Sequence, residues 1–520
     1  MANDIRNVSA QCQVIHFPWA IQNFTNTTSD ADLARADLVD ISLSIVQATF
    51  SKQLGDPAGE FSISLANDQD WVANILPGTW LLIYLSNDGD LFIPKKEYSA
   101  ITPRLLANQK NRLRCIGYVE RVAKRGSVNS DGAVQISYSV TGKDFGCIYS
   151  QTNIWHNTIL FEKALLDAAT NQLNVSTTRK VHNLVETLHR LMFSPADIIK
   201  TKAGTNKSLT VASLQWILPA PMLTALGLTF RRGVPFYGNI NNLFSFEPTS
   251  CNYPIENPMS ALNGVAWDQL KTYSIEVLHE LFVETDDFGH PKIIFRPIPW
   301  RLRNNAKTDR VFINSTKGLF KNLPRVVLDL VNLIEFDFGA DNHSRYNVFY
   351  LVPNSTKQTA ESGVQALLDQ DQVSGFPRMK QASIKRHGLR LFFQEVNALI
   401  HVGVEKVDKG LVQAYNEVIL DYWDNAEYYE SGSATIIGDN RIKLGKVLEL
   451  PEESPSNGSK LFYIEGYEDT FIVNPNAANS WTQELSLTRG IEKSVLDTKF
   501  LNEPKEPNNY VGDFTRTWLN

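Results

Sequence analysis

Cysteine is scarce in this chain and, where present, isolated. Cys12, Cys115, Cys147 and Cys251 are the four cysteines of 520 residues, with no Cys-x-x-Cys pair among them. That pattern excludes a zinc ribbon or a disulfide framework and fits a reducing compartment. Long apolar runs are also missing. No uncharged stretch reaches the ~18 residues that a membrane helix needs, and the best candidate, Leu209 to Phe230, is broken by Pro219 and Pro221. The opening Met1-Ala-Asn-Asp-Ile-Arg-Asn7 has no apolar run of signal-peptide length, which argues against secretion by that route. There is no basic excess either: 50 Lys and Arg against 56 Asp and Glu leave a formal net charge of −6. A phosphate-neutralising surface would leave the opposite sign, so the charge argues against general nucleic-acid binding. It leaves room for a channel wall past which a polyanion slides without sticking.

The signatures of catalysis are missing as well. No Gly-x-Ser-x-Gly elbow, P-loop or dinucleotide fingerprint occurs. Asp144-Phe145-Gly146 matches the metal-binding triplet of protein kinases, but without a preceding Gly-rich loop it reads as the turn that closes a β module. His182 and His189, with Glu186 between them, share one predicted helix without a His-Glu-x-x-His spacing or a third ligand, so no metal site is assigned. His387 sits in what reads as a polar loop and is expected to be a structural hydrogen-bonding residue. Glu335, Asp337 and Asp341 are carboxylates whose separation the sequence does not give. No catalytic residue, cofactor or metal is assigned, and the chain reads as a structural part, not an enzyme.

What is present is ordinary globular composition, 43% apolar and 20% charged, in a length that suggests about three or four domains at ~150 residues each. Within it a β-sheet module occurs twice. The first copy runs Gly59-Glu-Phe-Ser-Ile-Ser-Leu65, Leu76-Pro-Gly-Thr-Trp80 and onward to Leu85, Arg114 to Val122 with Gly117-Tyr118, and Val134 to Gly142. The second runs Ser431 to Ile437, Ile442-Lys-Leu-Gly-Lys446 and onward to Leu450, Leu461 to Phe471 with Gly466-Tyr467, and Trp481 to Gly490. In both copies the first and last strands alternate apolar and polar, which puts one face in a core and the other in water or on a partner. Such half-buried strands belong to antiparallel barrels or sandwiches.

The expected fold class is therefore α+β and β-rich, with two similar antiparallel β-barrel domains separated by a helical insert and a mixed insert. Residues 1–38 read as an arm whose His16-Phe-Pro-Trp19 cluster and Phe24 are expected to pack on a neighbour, the alternative being a strand folded back on the first barrel. Residues 39–150 form the first barrel. In 151–262 the period shifts to about 3.6, with Leu160, Phe161, Leu165 and Leu166 on one face and Val181, Leu184, Val185 and Leu188 on another, the pattern of a helical domain. In 263–429 a predicted helix over Trp267 to Phe282 precedes a hairpin turn at Asp286 to His290. Strands follow at Lys292 to Trp300, Val331 to Phe338 and Tyr346 to Val352, then a helix at Leu411 to Trp423. Residues 430–495 form the second barrel and 496–520 an extended tail.

Three stretches together resemble the baseplate hub proteins of contractile-tailed bacteriophages, which are related to the hub part of type VI secretion spikes. They are Gly59 to Leu65 through Val140-Thr-Gly-Lys-Asp-Phe-Gly146; His279-Glu-Leu-Phe-Val283 with Pro291 to Pro299; and Ser383 to Arg390 with Glu430 to Thr435 and Leu485 to Gly490. The resemblance implies a homotrimer whose six barrels, two per chain, form a pseudo-sixfold ring. That ring would adapt the sixfold tail tube above to the threefold central spike below and form part of the DNA channel. It also implies contacts with other baseplate or wedge proteins, a place in the virion after assembly in the bacterial cytoplasm, no specific nucleic-acid binding and no stable membrane insertion. The alternative is a tail-associated glycan-binding protein or hydrolase, which would act on a peptidoglycan suspension alone.

Overall fold

A computed structural model describes residues 10–18, 38–88, 91, 103–128, 134–154, 199–200, 206–207, 216, 218–227, 245–247, 264–272, 279–287, 289–297, 323–340, 346–353, 378–379, 381–396, 429–450 and 459–493. The first strands are β1 (Gln11–Phe17), β2 (Val39–Asp40), β3 (Ile45–Gln53), β4 (Glu60–Leu65), β5 (Trp80–Ser86), β6 (Leu113–Val128) and β7 (Val134–Asp144). A hairpin follows, β8 (His279–Thr285) and β9 (Pro291–Pro297). Then come β10 (Arg325–Val327), β11 (Leu333–Gly339), β12 (Glu430–Ile437), β13 (Val447–Leu450), β14 (Lys460–Ile472) and β15 (Ser480–Glu492).

All of these except the hairpin belong to one sheet of 13 strands. Its order is β11-β12-β15-β14-β3-β4-β7-β6-β5-β1-β2, with β13 on β14 and β10 on β13. Period-2 patterning builds it. Phe61, Ile63 and Leu65 of β4 and Trp481, Leu485 and Leu487 of β15 are buried, while Ser62, Ser64, Glu484 and Ser486 between them are not. The two halves share a single apolar cluster, from Val14, Phe50 and Ile83 to Phe462, Ile464 and Trp481. The fold class is thus the β-rich one expected, and the two modules are continuous through the pairing of β3 with β14.

The repeat is longer than the sequence suggested. In each half a short strand and a 3-10 turn precede five strands that recur in the same pairing: β2, Ser42–Ser44, then β3-β4-β7-β6-β5; and β10, Leu330–Asn332, then β11-β12-β15-β14-β13. The short strands themselves pair differently, β2 antiparallel to β1 and β10 parallel to β13. The bulges recur too. Each half shifts register just after the turn, between Ile45 and Gln47 and between Leu333 and Glu335. Each shifts again at an extra glutamate, Glu120 between Val119 and Arg121, and Glu465 between Ile464 and Gly466. Gly78 and Gly445 are matched glycines at positive φ, 88° and 72°. Their amides donate to Val119 O (2.7 Å) and Ile464 O (3.1 Å).

Several expectations need correction. The pairing of β6 with β5 and of β14 with β13 makes Tyr118 equivalent to Tyr463, so Gly117-Tyr118 and Gly466-Tyr467 do not correspond. Val331 to Phe338, expected in the mixed insert, supplies β11 of the second half. The helix predicted over Trp267 to Phe282 spans Ala266–Thr272, and from His279 the chain is strand, with Glu280 and Glu284 buried against cations. His387 ends a helix, Gln381–His387, and does not sit in a loop. The hairpin turn at Asp286 to His290 is as expected, closed by the Asp286 amide on His290 O at 2.9 Å.

The arm is corrected as well. Gln11–Phe17 is a strand of this chain's own first module, inserted between β5 and β2. Trp19 and Phe24 lie outside the described residues, as do the helices expected within 155–198 and at Leu411 to Trp423 and the tail after 493. On β1, buried His16 places Nε2 3.0 Å from Thr79 Oγ1, whose own proton goes to Leu76 O at 2.6 Å. Nε2 therefore carries the donated proton, and burial lowers the His16 pKa to about 4. Because the folded value lies below the unfolded one of 6.5, this contribution is full above pH 6.5 and is lost as pH falls toward 4. The expected loss, relative to a His16→Gln variant over the same window, is about 3 kcal/mol in urea unfolding.

Candidate functional site

The face of the sheet opposite the core is a continuous polar wall crossing the joint between the modules. One row of directly paired residues runs Thr482, Thr470, Thr49, Ser62, Thr141, Arg121. The next runs Glu335, Thr435, Glu484, Glu468, Ser51, Glu60, Lys143. A third contains Asp337, Ser433, Ser486, Gly466 and Gln53. The apolar alternate positions lie in the core, and half of the residues in these rows carry a hydroxyl, with carboxylates outnumbering cations. Glu484 stands directly opposite Glu468, a like-charge pair that disfavours the sheet but also keeps anions off it.

Beneath this wall a buried ionic network holds the joint in register. Arg114 of β6 donates from Nε and Nη2 to Asp469 Oδ2 of β14, at 3.0 and 2.8 Å, and from Nη1 to Ile442 O at 2.8 Å. Asp469 Oδ1 accepts from Trp481 Nε1 (2.9 Å) and Gln483 Nε2 (2.7 Å). Lys52 of β3 pairs with Asp144 at the end of β7, whose Oδ1 accepts the Gly146 amide at 2.9 Å. Glu284 of β8 accepts from the Thr285 amide (2.8 Å) and the Leu444 amide (3.0 Å). Burial pushes Glu284 up, but Lys52 and Lys443 outweigh it and hold the carboxyl below its usual range. Lys443 is lowered to about 8, chiefly by burial. The network therefore ties both modules and the β8–β9 hairpin into one arrangement.

Two further features recur with the module. At one end of each copy the same positions expose apolar side chains: Leu43 and Val331 are 83% and 86% exposed, Val46 and Ile334 46% and 56%. Val39 and Val327 make a third such pair. In addition, among the described residues β11 is paired on its β12 side alone, and β5 covers β6 only as far as Tyr118. The sequence carried a signal for the apolar pairs, since Leu-Ser-Ile-Val at 43–46 and Val-Asn-Leu-Ile at 331–334 share one pattern. It was missed because the second stretch was assigned to the mixed insert.

Of the residues weighed as chemistry, Asp144-Phe145-Gly146 is the turn closing the first module, with Asp144 in the ionic network. Glu335 and Asp337 lie on the exposed face of β11, and Asp341, His182, Glu186 and His189 lie outside the described residues. Among the described residues there is no group of three or more metal-ligating side chains, and no helix is long and apolar enough to cross a membrane.

No family model and no curated protein matches the chain. Among solved structures it is similar to the tail protein from Neisseria meningitidis MC58, at 9% identity over 94% of this chain and 98% of that one, with a TM-score of 0.44. It is also similar to the 43 kDa tail protein of prophage MuSo2 from Shewanella oneidensis, at 9% identity over 92% and 98%, with a TM-score of 0.43. A third likeness is to the lidded Francisella PdpA-VgrG complex, at 8% identity over 92% of this chain and 53% of that one, with a TM-score of 0.35.

Proposed function

We propose that this chain is a structural protein of a contractile phage tail, the central hub of its baseplate. Three copies form a ring of six modules that meets the sixfold tail tube on one side and the threefold central spike on the other. The polar wall of the sheet lines the DNA channel. The observation that carries this reading is the duplicated module with its duplicated exposed apolar ends. A trimer of chains with one module offers three equivalent surfaces, whereas two similar modules per chain offer six. Leu43, Val46 and Val39 with their counterparts Val331, Ile334 and Val327 give six near-equivalent apolar contacts to a sixfold partner. The segments that are not duplicated, 151–262 and the intervening part of 263–429, are left to make the threefold side.

The test is a mass measurement on the purified chain, alone and with its spike protein. Three chains of 58.5 kDa per particle are expected; a monomer in both conditions would sink the reading. Clearing of a peptidoglycan suspension by the purified chain would instead favour the hydrolase. The channel wall makes a second test. The particle is expected not to retain duplex DNA at physiological salt, because hydroxyls and carboxylates release no condensed counterions. Glu468→Lys with Glu484→Lys is expected to create salt-sensitive binding in a filter-retention assay, and unchanged retention would place this face elsewhere.

A further inference from the structure

We infer that the free edge of β11 in one copy pairs with the free stretch of β6 in the next copy, in the register that the chain's own joint specifies. The inference rests on the trimeric reading above and adds to it the contact that closes the ring. Inside the chain, β3 of the first module pairs antiparallel with β14 of the second, as Phe50 with Asp469, Thr49 with Thr470 and Ala48 with Phe471. The repeat carries β3 onto β11, with Ile45 on Leu333 and Gln47 on Glu335, because the same bulge follows the same turn. It carries β14 onto β6, with Tyr463 on Tyr118 and Ile464 on Val119, because the same glutamate bulge follows. Transferring the joint gives Phe338 opposite Lys124, Asp337 opposite Arg125, Phe336 opposite Gly126, Glu335 opposite Ser127 and Gly339 opposite Ala123.

Three independent properties agree with that register. The first is facing. Asp337 and Glu335 share the polar wall with Ser433 and Thr435, and Arg125 and Ser127 share it with Ser137 and Gln135, so polar meets polar. A slip of one residue would turn Phe336 and Phe338 onto the polar wall. The second is charge: the register sets Asp337 of β11 directly opposite Arg125 of β6 on the polar wall. The third is size. At the internal joint the small Ala48 faces Phe471, which is 2% exposed. At the new joint the roles exchange, for Phe336, 42% exposed, meets Gly126, where a Cβ would find no atom within 4 Å. A half-exposed aromatic, stacked on Phe338 on one side, and a glycine with open space above it are the two halves of one cross-strand pair. Both strands present bare backbone edges among the described residues, a liability that a partner strand removes.

The experiment is oxidative cross-linking of the full-length protein carrying Asp337→Cys and Arg125→Cys, with the unsubstituted chain as control. The expected result is covalent dimers and trimers on a non-reducing gel. A second pair, Asp337→Cys with Ala123→Cys, tests a slip of two residues; cross-linking there and not at Arg125 would overturn the register. Charge reversal gives a readout without new thiols. Asp337→Arg alone is expected to raise the concentration at which the trimer half-dissociates by about tenfold or more, and Asp337→Arg with Arg125→Asp to restore it. A trimer by mass that cross-links at neither pair would overturn this contact while leaving the hub reading intact. A chain that stays monomeric would overturn both.

Discussion

Replacing Arg114 by Met is expected to destabilise the protein by about 3–5 kcal/mol, read as a fall in the urea midpoint, because Asp469 would be left charged and unpaired inside the protein. The side chains of both partners are 1% exposed, so water cannot take over the role of the guanidinium. Trp481 and Gln483 would still donate to Asp469 Oδ1, but Oδ2 would lose both of its bonds to Arg114. The double variant Arg114→Met with Asp469→Asn should recover part of the loss, since the amide removes the buried charge while its Oδ1 can still accept from Trp481 and Gln483. A double variant no more stable than Arg114→Met would mean that the pair is not where the cost lies. The network would then be needed for register, not only for energy.

Trp481→Ala should cost a similar amount, about 3–5 kcal/mol. The indole is buried, and it packs so closely on Gly438 that a Cβ there would lie 2.0 Å from its ring. Truncation thus opens a cavity against a backbone that cannot collapse into it. It also removes the Nε1 donor from Asp469. Trp481→Phe keeps most of the volume and loses the donor, so the difference between the two variants separates packing from hydrogen bonding. Equal midpoints for both would assign the effect to the lost donor.

Parts of this arrangement were legible in the sequence for a physical reason, and parts were not. Period-2 alternation in Phe61-Ser-Ile-Ser-Leu65 and Trp481 to Leu487 marked half-buried strands, because each has one face in the core. Gly78 and Gly445 could be matched since their left-handed backbone leaves few residue choices. The Gly-Tyr dipeptides misled because space, not sequence, is repeated at that point. In the first module Gly117 makes room for Phe61, to which its Cβ would come within 2.6 Å. In the second, the equivalent Phe462 fills the space and Gly490 gives way instead, with a Cβ 2.1 Å from that ring. The helix predicted through Phe282 failed on tertiary grounds: Glu280 and Glu284 fit a polar helical face until Arg296, Lys52 and Lys443 claim them in the interior. The polar wall was invisible as such, because its rows join strands from opposite ends of the chain.

The pairing of β3 with β14 joins Gln53 to Gly466, and that separation has a consequence for synthesis. A ribosome adding ~5–20 residues per second needs roughly 20 to 80 s to pass from one partner to the other. For that interval the first module waits on the nascent chain with β3 as an open border, exposed to other nascent chains on the same message. Lys52 projects from that border into what will become the interior and finds Asp144 within the first module itself. A cation on the inward side of an unpaired strand makes a foreign strand costly to accept. The residue that later locks the joint thus first guards it, so neutralising Lys52 would show up as lower soluble yield at high expression before any change in the finished particle.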